Sequence, residues 1–279
     1  MSLSKHKFAV IGLGFIAKRH IDSLRSLGGE LVMACDTDRN KFGYGVMCTQ
    51  HYEFMTALPG WKDVETVVIC TPNDTHVEMT KWALRHGKKV ICEKPFAIST
   101  ESLESVKDEG VSVVMQLRHH PKMKELLAMD LSEVKDAHLY VRVKRGEDYW
   151  KGWKGDQKRS GGILFNLGVH YLDAITRLFG SEYEIVESTV GDRQAFSVVR
   201  FPKLKNPLRM TFSITDTDEG QDRFLMLDDV KYRFSDKDNL SFEDLHTEVY
   251  KEHLERRGVR PSELKELTKF IEELYVRSV

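Results

Sequence analysis

The run KFAVIGLGFIA at positions 7–17 carries an apolar, β-type stretch into a glycine turn that opens a helix, with Gly12, Gly14 and Ala17 spaced as GxGxxA. Asp36, 22 residues beyond Gly14, closes a second apolar run, ELVMACD. Gly12 allows the tight turn, Gly14 lets the backbone approach a pyrophosphate, and the small Ala17 lets helix and strand pack closely. The helix N-terminus, with its unpaired N–H groups opening at Phe15 and Ile16, attracts phosphate charge. An acidic residue ending the second strand accepts from both ribose hydroxyls of an adenosine. The bland alternative is a glycine-rich βα turn without a ligand. The strand–turn–helix–strand context favours a dinucleotide site.

A chain of 279 residues accommodates two domains. A net charge of −1 gives no basic excess that would point to nucleic acid or an anionic membrane. No apolar run approaches the roughly 20 residues that span a bilayer, and no signal-peptide pattern is seen, so a cytoplasmic protein is expected. Cys35, Cys48, Cys70 and Cys92 form no CxxC pair and have no histidine-rich neighbourhood. Buried thiols are expected rather than a disulfide or a metal site.

Up to about Arg118, strand patterns at 8–13, 31–35, 64–71, 89–92 and 111–117 alternate with helical ones such as 75–86 and 100–109. Near-continuous apolar strands such as VVIC imply burial on both faces, as in a parallel sheet. A doubly wound α/β fold follows, with ligands outside the carboxyl ends of the strands. Asp36, the Thr71, Pro72 and Asn73 segment, and the Glu93, Lys94 and Pro95 segment stand at those ends. Beyond Arg118, β-rich runs at 137–144, 184–190, 195–201, 208–215 and 223–227 follow one another with short turns, suggesting a mostly antiparallel open sheet. A helix pattern at 162–178 is inserted among them, and a charged helical tail runs over 242–276. The expected division is a Rossmann domain over 1–118 and a second α/β domain over 119–279. FSVVRF (196–201) and RMTFSI (209–214) alternate apolar residues, an expected exposed patch for a homodimer or homotetramer.

Lys94 follows a strand on the crevice edge, where it can hydrogen-bond a substrate hydroxyl, and an oxidised nicotinamide nearby would disfavour its ammonium. Taken alone, a lysine after a strand is more often a solvated surface residue. A second constellation, SGGILFNLGVHYLD (160–173), changes that balance. Asn166 and His170 share one helical face, and Asp173 continues the stripe. Gly161, Gly162 and Gly168 each cost about 1 kcal/mol in a helix, which makes sense where a ligand or another backbone comes close. Lys151, Trp153, Lys154, Lys158 and Arg159 form a basic-aromatic segment suited to an anionic, ring-bearing ligand, against the alternative of an exposed loop with incidental charges.

The GxGxxA turn with Arg19 and His20, TPNDTH (71–76), EKP (93–95) and the GG-x3-[D/N]-x3-H-x2-D helix occur in this order. Together they resemble the glucose–fructose oxidoreductase / inositol dehydrogenase (Gfo/Idh/MocA) family over essentially the whole chain. The resemblance implies NAD as cofactor, held by Gly12, Gly14, Phe15, Ile16, Asp36, Thr71, Pro72, Asn73, His76, Glu93 and Lys94. It also implies a catalytic pair, Lys94 and His170, and no metal. Many members carry Asp four residues before the histidine. Asn166 stands there instead, and an amide cannot stabilise an imidazolium by charge. Asn at this position, RHHP (118–121), WKGWKGD (150–156) with RSGG after it, and DLHTEVYKEHL (244–254) are similar to the UDP-N-acetylglucosaminuronate 3-dehydrogenases of O-antigen pathways. That similarity implies a nucleotide-sugar substrate bound by Arg118, Trp153, Lys154, Arg159, Ser160 and Asn166. Alternatives are a dehydrogenase of a free sugar, polyol or inositol, and a non-catalytic NAD-binding regulator.

Overall fold

In the computed structural model of the chain, residues 6–218, 220–234 and 243–278 are described below. They fall into two compact units, one comprising Met1–Ala97, Glu101–Gln116 and Glu243–Glu263, the other Ile98–Thr100, Leu117–Phe242 and Leu264–Val279.

The first unit holds β1 (Lys7–Ile11), α1 (Phe15–Ser26), β2 (Glu30–Cys35), β3 (Met47–Thr49), β4 (Thr66–Ile69), α2 (His76–Arg85), β5 (Lys89–Cys92) and β6 (Val111–Val113). The short α3 (Thr100–Glu104) begins one residue before the segment assigned to this unit. Its six strands are all parallel, in the order β3-β2-β1-β4-β5-β6. β4 and the last three residues of β5 are fully or almost fully buried, which explains their continuous apolar sequence. β3, whose MCT is too short to show periodicity, extends the sheet beyond the expected strands.

The second unit contains α4 (Pro121–Leu127), β7 (Ala137–Lys144), α5 (Asp148–Lys151), α6 (Gln157–Ser160), α7 (Val169–Phe179), β8 (Glu184–Val190), β9 (Gln194–Arg200), β10 (Leu208–Thr215), β11 (Asp222–Leu227) and β12 (Val230–Arg233). The sheet order is β12-β11-β7-β10-β9-β8, antiparallel except for the parallel β7–β10 pair. One face of β7 and β10 is core, with Leu139, Val141, Val143, Met210 and Phe212 at most 1% exposed. The apolar side chains of RMTFSI therefore point inward. The outward apolar set is narrower than the sequence pattern suggests: Val186, Phe196, partly buried Val198, and a stacked Tyr140–Phe224 pair.

The tail beyond β12 does not stay with the second unit. The helix α8 (Glu243–Leu254) belongs to the first unit, whereas α9 (Lys265–Val276) belongs to the second. A division at 118/119 thus misplaces 243–263. Phe242, counted in the expected tail, lies outside the described residues. Val249 and Tyr250 of α8 join Phe8, Val10, Ile21 and Leu24 in one core cluster. The Val113 amide donates to the Val259 carbonyl at 2.8 Å. His253 is anchored by the Ser112 hydroxyl (2.8 Å at Nδ1) and the Thr66 hydroxyl (3.2 Å at Nε2).

That anchoring has a pH signature. Burial, then the charges of Lys89 and His6, push the His253 imidazole down from 6.5 to about 3. Unfolded chain therefore takes up its proton first. The contribution is fully present above about 6.5 and drains as pH falls toward about 3, at about 1.4 kcal/mol per pH unit. Burial also lowers His20 and His76, with the same sign. Denaturant unfolding should show stability falling between pH 6.5 and 5, and His253→Gln should flatten that slope.

Candidate functional site

Gly12 has φ +89°, and a Cβ there would stand 2.7 Å from the Cys70 carbonyl oxygen, so the turn between β1 and α1 requires glycine. At Gly14 a Cβ would meet no protein atom within 4 Å. Gly14 caps α1 without any side-chain hydrogen bond, and Phe15 behind it is 81% exposed. The helix thus opens beside an uncrowded Gly14 and an exposed Phe15, while Ala17 is sealed in the core with its amide donating to the Gly14 carbonyl at 3.1 Å. This is the arrangement a pyrophosphate needs. Asp36 ends β2 against the same turn. Its Oδ2 accepts from the Leu13 amide at 2.7 Å, and its Oδ1 from the Asp38 amide at 2.9 Å. Lys41 is the cation beside it, at 3.2 Å, while Arg39 donates instead to Gln50. The residues present fit a dinucleotide whose adenosine ribose lies at Asp36.

At the ends of β4 and β5, Thr71 and Lys94 are half-buried and Asn73 is buried. His76, fully buried, places Nδ1 2.7 Å from the Pro95 carbonyl and Nε2 2.9 Å from the Thr71 carbonyl. Both ring nitrogens face backbone carbonyls, and the single N–H of the neutral ring donates to one of them, so His76 bridges the Thr71 and Pro95 segments. Burial pushes its pKa down, against the two carbonyls.

Glu93 is also turned inward. Its Oε1 lies 2.9 Å from His20 Nε2 and 3.6 Å from His246 Nε2, while Oε2 accepts from the Lys94 amide at 3.1 Å. His20 Nδ1 continues to the Tyr250 hydroxyl at 3.0 Å. Burial alone would raise the Glu93 carboxyl, but the hydrogen bonds from His20 and His246 outweigh it and hold the group well below the usual carboxylate range. Burial lowers His20, so a neutral imidazole donating to a carboxylate is the consistent state. Glu93 thereby sets the backbone that carries Lys94. His246 and Tyr250 lie 226 and 230 residues from His20, within the DLHTEVYKEHL run, whose sequence alone does not reveal Glu93 and His20 as their partners.

In the second unit Asn166 lies in a π-helical turn, Leu164–Gly168, and His170, 7% exposed, follows at the start of α7. π turns interrupt α-helices frequently at functional sites. The neighbouring glycines have an internal explanation. A Cβ at Gly161 would strike Phe165 and Ile98, one at Gly162 would strike Tyr275, and one at Gly168 would press on Phe212. The chain's own packing, not a ligand, accounts for them. Asp173 stands one turn beyond His170 on α7. It holds Arg118 in a bidentate pair, 2.8 Å at Nε and 2.6 Å at Nη2, which fixes the orientation of that guanidinium. Ser160 is 1% exposed and its hydroxyl accepts from the Gly162 amide. It shapes the turn and lines a small cleft with Tyr149 and Lys154.

Asn166 Nδ2 donates to the Tyr149 hydroxyl at 2.5 Å, and Lys154 Nζ lies 5.7 Å from the rings of both Tyr149 and Trp153. The structure thus joins Asn166 to the basic-aromatic segment, with Arg159 half-buried nearby in sequence. Tyr149 went unnoticed in the sequence because a tyrosine after two acidic residues reads as an exposed loop. The four cysteines are free, and burial pushes the Cys35 thiol up to about 12.

Residues 6–114 match the model of an oxidoreductase family with an NAD-binding Rossmann fold, and 120–217 match the GFO/IDH/MocA C-terminal domain. The WlbA (WbpB) dehydrogenase from Thermus thermophilus, solved with NAD and UDP-GlcNAcA, is 26% identical with TM-score 0.82, covering 98% of this chain and 95% of that one. Glucose-6-phosphate 3-dehydrogenase of Bacillus subtilis is 26% identical over 211 residues, 65% of this chain and 56% of that protein. Inositol 2-dehydrogenase of Rhizobium meliloti is 26% identical over 197 residues, 66% and 58%. The matched part of the chain spans little more than half the length of these two curated relatives. With the glycine turn, Asp36 and the strand-end segments in their expected places and both stretches matched to models of one family, the chain belongs to the GFO/IDH/MocA oxidoreductases.

Proposed function

We propose that the chain catalyses the NAD-dependent oxidation of the C3 hydroxyl of a nucleotide-linked amino-sugar uronic acid, of the UDP-GlcNAcA type, to the 3-keto sugar. The observation that carries this reading is the near full-length likeness to a dehydrogenase solved with NAD and UDP-GlcNAcA. Lys94 on the β5 turn, His170 on α7 and the cationic, aromatic set around Asn166 supply the side chains it needs. NAD, when bound, supplies the hydride acceptor. Lys94 or His170 takes the C3 hydroxyl proton as the hydride leaves. Asn166, uncharged and fixed by Tyr149, orients the sugar hydroxyl or the imidazole and does not relay a proton. Holding the C3 hydrogen in place contributes most of the rate.

A second reading is a dehydrogenase of a free or phosphorylated sugar or polyol, favoured by the relatives that act on glucose 6-phosphate and inositol. Following NAD reduction at 340 nm across UDP-sugar acids, sugar phosphates and polyols separates the two. Turnover of inositol or glucose 6-phosphate without turnover of any UDP-sugar acid would reject the first.

Lys94→Ala should lower kcat by roughly 10²–10⁴ with NAD affinity nearly unchanged, the usual consequence of losing a general acid or base. More than half of wild-type kcat remaining would refute the assignment.

NAD should bind more tightly than NADP, because the Asp36 carboxylate accepts from a 2′-hydroxyl but repels a 2′-phosphate. Titration calorimetry with both cofactors checks this, and Asp36→Ala should narrow the gap, with Lys41 then left to attract the phosphate.

We further propose a homodimer or homotetramer built on the outer face of the second unit's sheet, around Phe196 and Val186. Light scattering at micromolar concentration should report more than one chain, and Phe196→Lys should shift the species toward monomer.

A further inference from the structure

Arg145 follows β7 directly, its amide donating to the Thr215 carbonyl at 2.9 Å and its Nη1 to the Lys144 carbonyl at 2.8 Å. Its guanidinium carbon lies 5.7 Å from the Tyr149 ring centre, the same distance as Lys154 Nζ. Arg223 stands opposite Val141 in the β7–β11 register. Strand alternation puts Arg223, Val141, Val143 and Arg145 on one side of the sheet, the side that carries the core. Among the described residues neither Arg145, Lys154 nor Arg223 makes an ion pair. Asp192, which lines a small cleft with Tyr149 and Lys154, makes none either.

Like charges gathered without a counter-charge disfavour one another, most where water is partly excluded. Arg145 shows this: burial lowers its guanidinium pKa, and Arg223 adds to the effect. Lys154 is exposed as a residue, yet desolvation of its ammonium, then Arg145, lowers it too. The guanidinium fork matches a carboxylate or phosphate, and the ammonium adds a point charge. Because the Tyr149 oxygen already accepts from Asn166, its own proton is available to an incoming acceptor.

We propose that Arg145, Lys154 and the Tyr149 hydroxyl form a subsite that holds an anionic oxygen group of the substrate, a carboxylate or a phosphate, with Arg223 strengthening the local positive potential. The place of this subsite in catalysis rests on the function proposed above; its capacity to bind an anion does not.

The test uses the whole chain and titration calorimetry with four probes: UDP-GlcNAcA, UDP-GlcNAc, glucuronate and pyrophosphate. Arg145→Gln and Lys154→Gln should each weaken binding of the recognised anion roughly 10- to 100-fold, the size of a lost charge-assisted hydrogen bond. Arg145→Lys should recover part of the loss, and NAD affinity should stay within twofold. A loss confined to UDP-GlcNAcA and glucuronate identifies a carboxylate; a loss that extends to UDP-GlcNAc and pyrophosphate identifies the diphosphate. If both Gln variants bind all four probes within twofold of wild type, the subsite does not exist. Should no UDP-sugar be oxidised while the variants still lose pyrophosphate or glucuronate binding, the function reading fails and the anion subsite stands. If Arg145→Gln does not fold, Lys154→Gln at its exposed position carries the comparison.

Discussion

A buried carboxylate organises the carboxyl edge of the first unit's sheet. Glu93 gathers His20 from α1 and His246 from α8 on one oxygen and receives the Lys94 amide on the other. Removing a charge from water is costly unless it is hydrogen-bonded, so the four groups constrain one another. Lys94 inherits that rigidity through its own backbone. His76 does similar work nearby, its buried ring lying between the Pro95 and Thr71 carbonyls and donating to one of them. Residues that the sequence places beside a cofactor therefore include some that hold their neighbours still through buried hydrogen bonds.

The parallel sheet, the glycine turn and Asp36 were legible because local physics imposes them. A tight turn with positive φ, a close helix–strand contact and a buried strand each restrict residue choice within a few positions. The Lys94 turn and the Asn166–His170 helix were legible for the same reason. What the pattern could not reveal depends on distant partners. The glycines of 161–168 answer to Phe165, Ile98, Tyr275 and Phe212. Arg118 answers to Asp173, 55 residues away, and Tyr149 to Asn166. The π turn is a change of winding with no compositional mark.

The exchange of an acidic residue for Asn166 also gains a physical setting. With Arg145 and Lys154 both beside Tyr149, a carboxylate at 166 would compete for the same positive groups. An amide leaves that potential intact and donates to Tyr149. The charge difference at one position thus changes what the neighbouring loop can attract.

The return of α8 to the first unit has a consequence for synthesis. Phe8 and Tyr250 pack ring against ring at 5.7 Å, and His20 bonds to Tyr250 across 230 residues of sequence. At about 5–20 residues per second on the ribosome, roughly 10 s separates emergence of β6 from that of α8. Through that interval the apolar surface of α1 and β1 that Val249 and Tyr250 cover waits for its lid, and Glu93 has only one of its two histidines. The N-terminal unit is completed by Glu243–Glu263, so a nascent or truncated chain ending before 243 presents a sticky, unfinished nucleotide fold to chaperones.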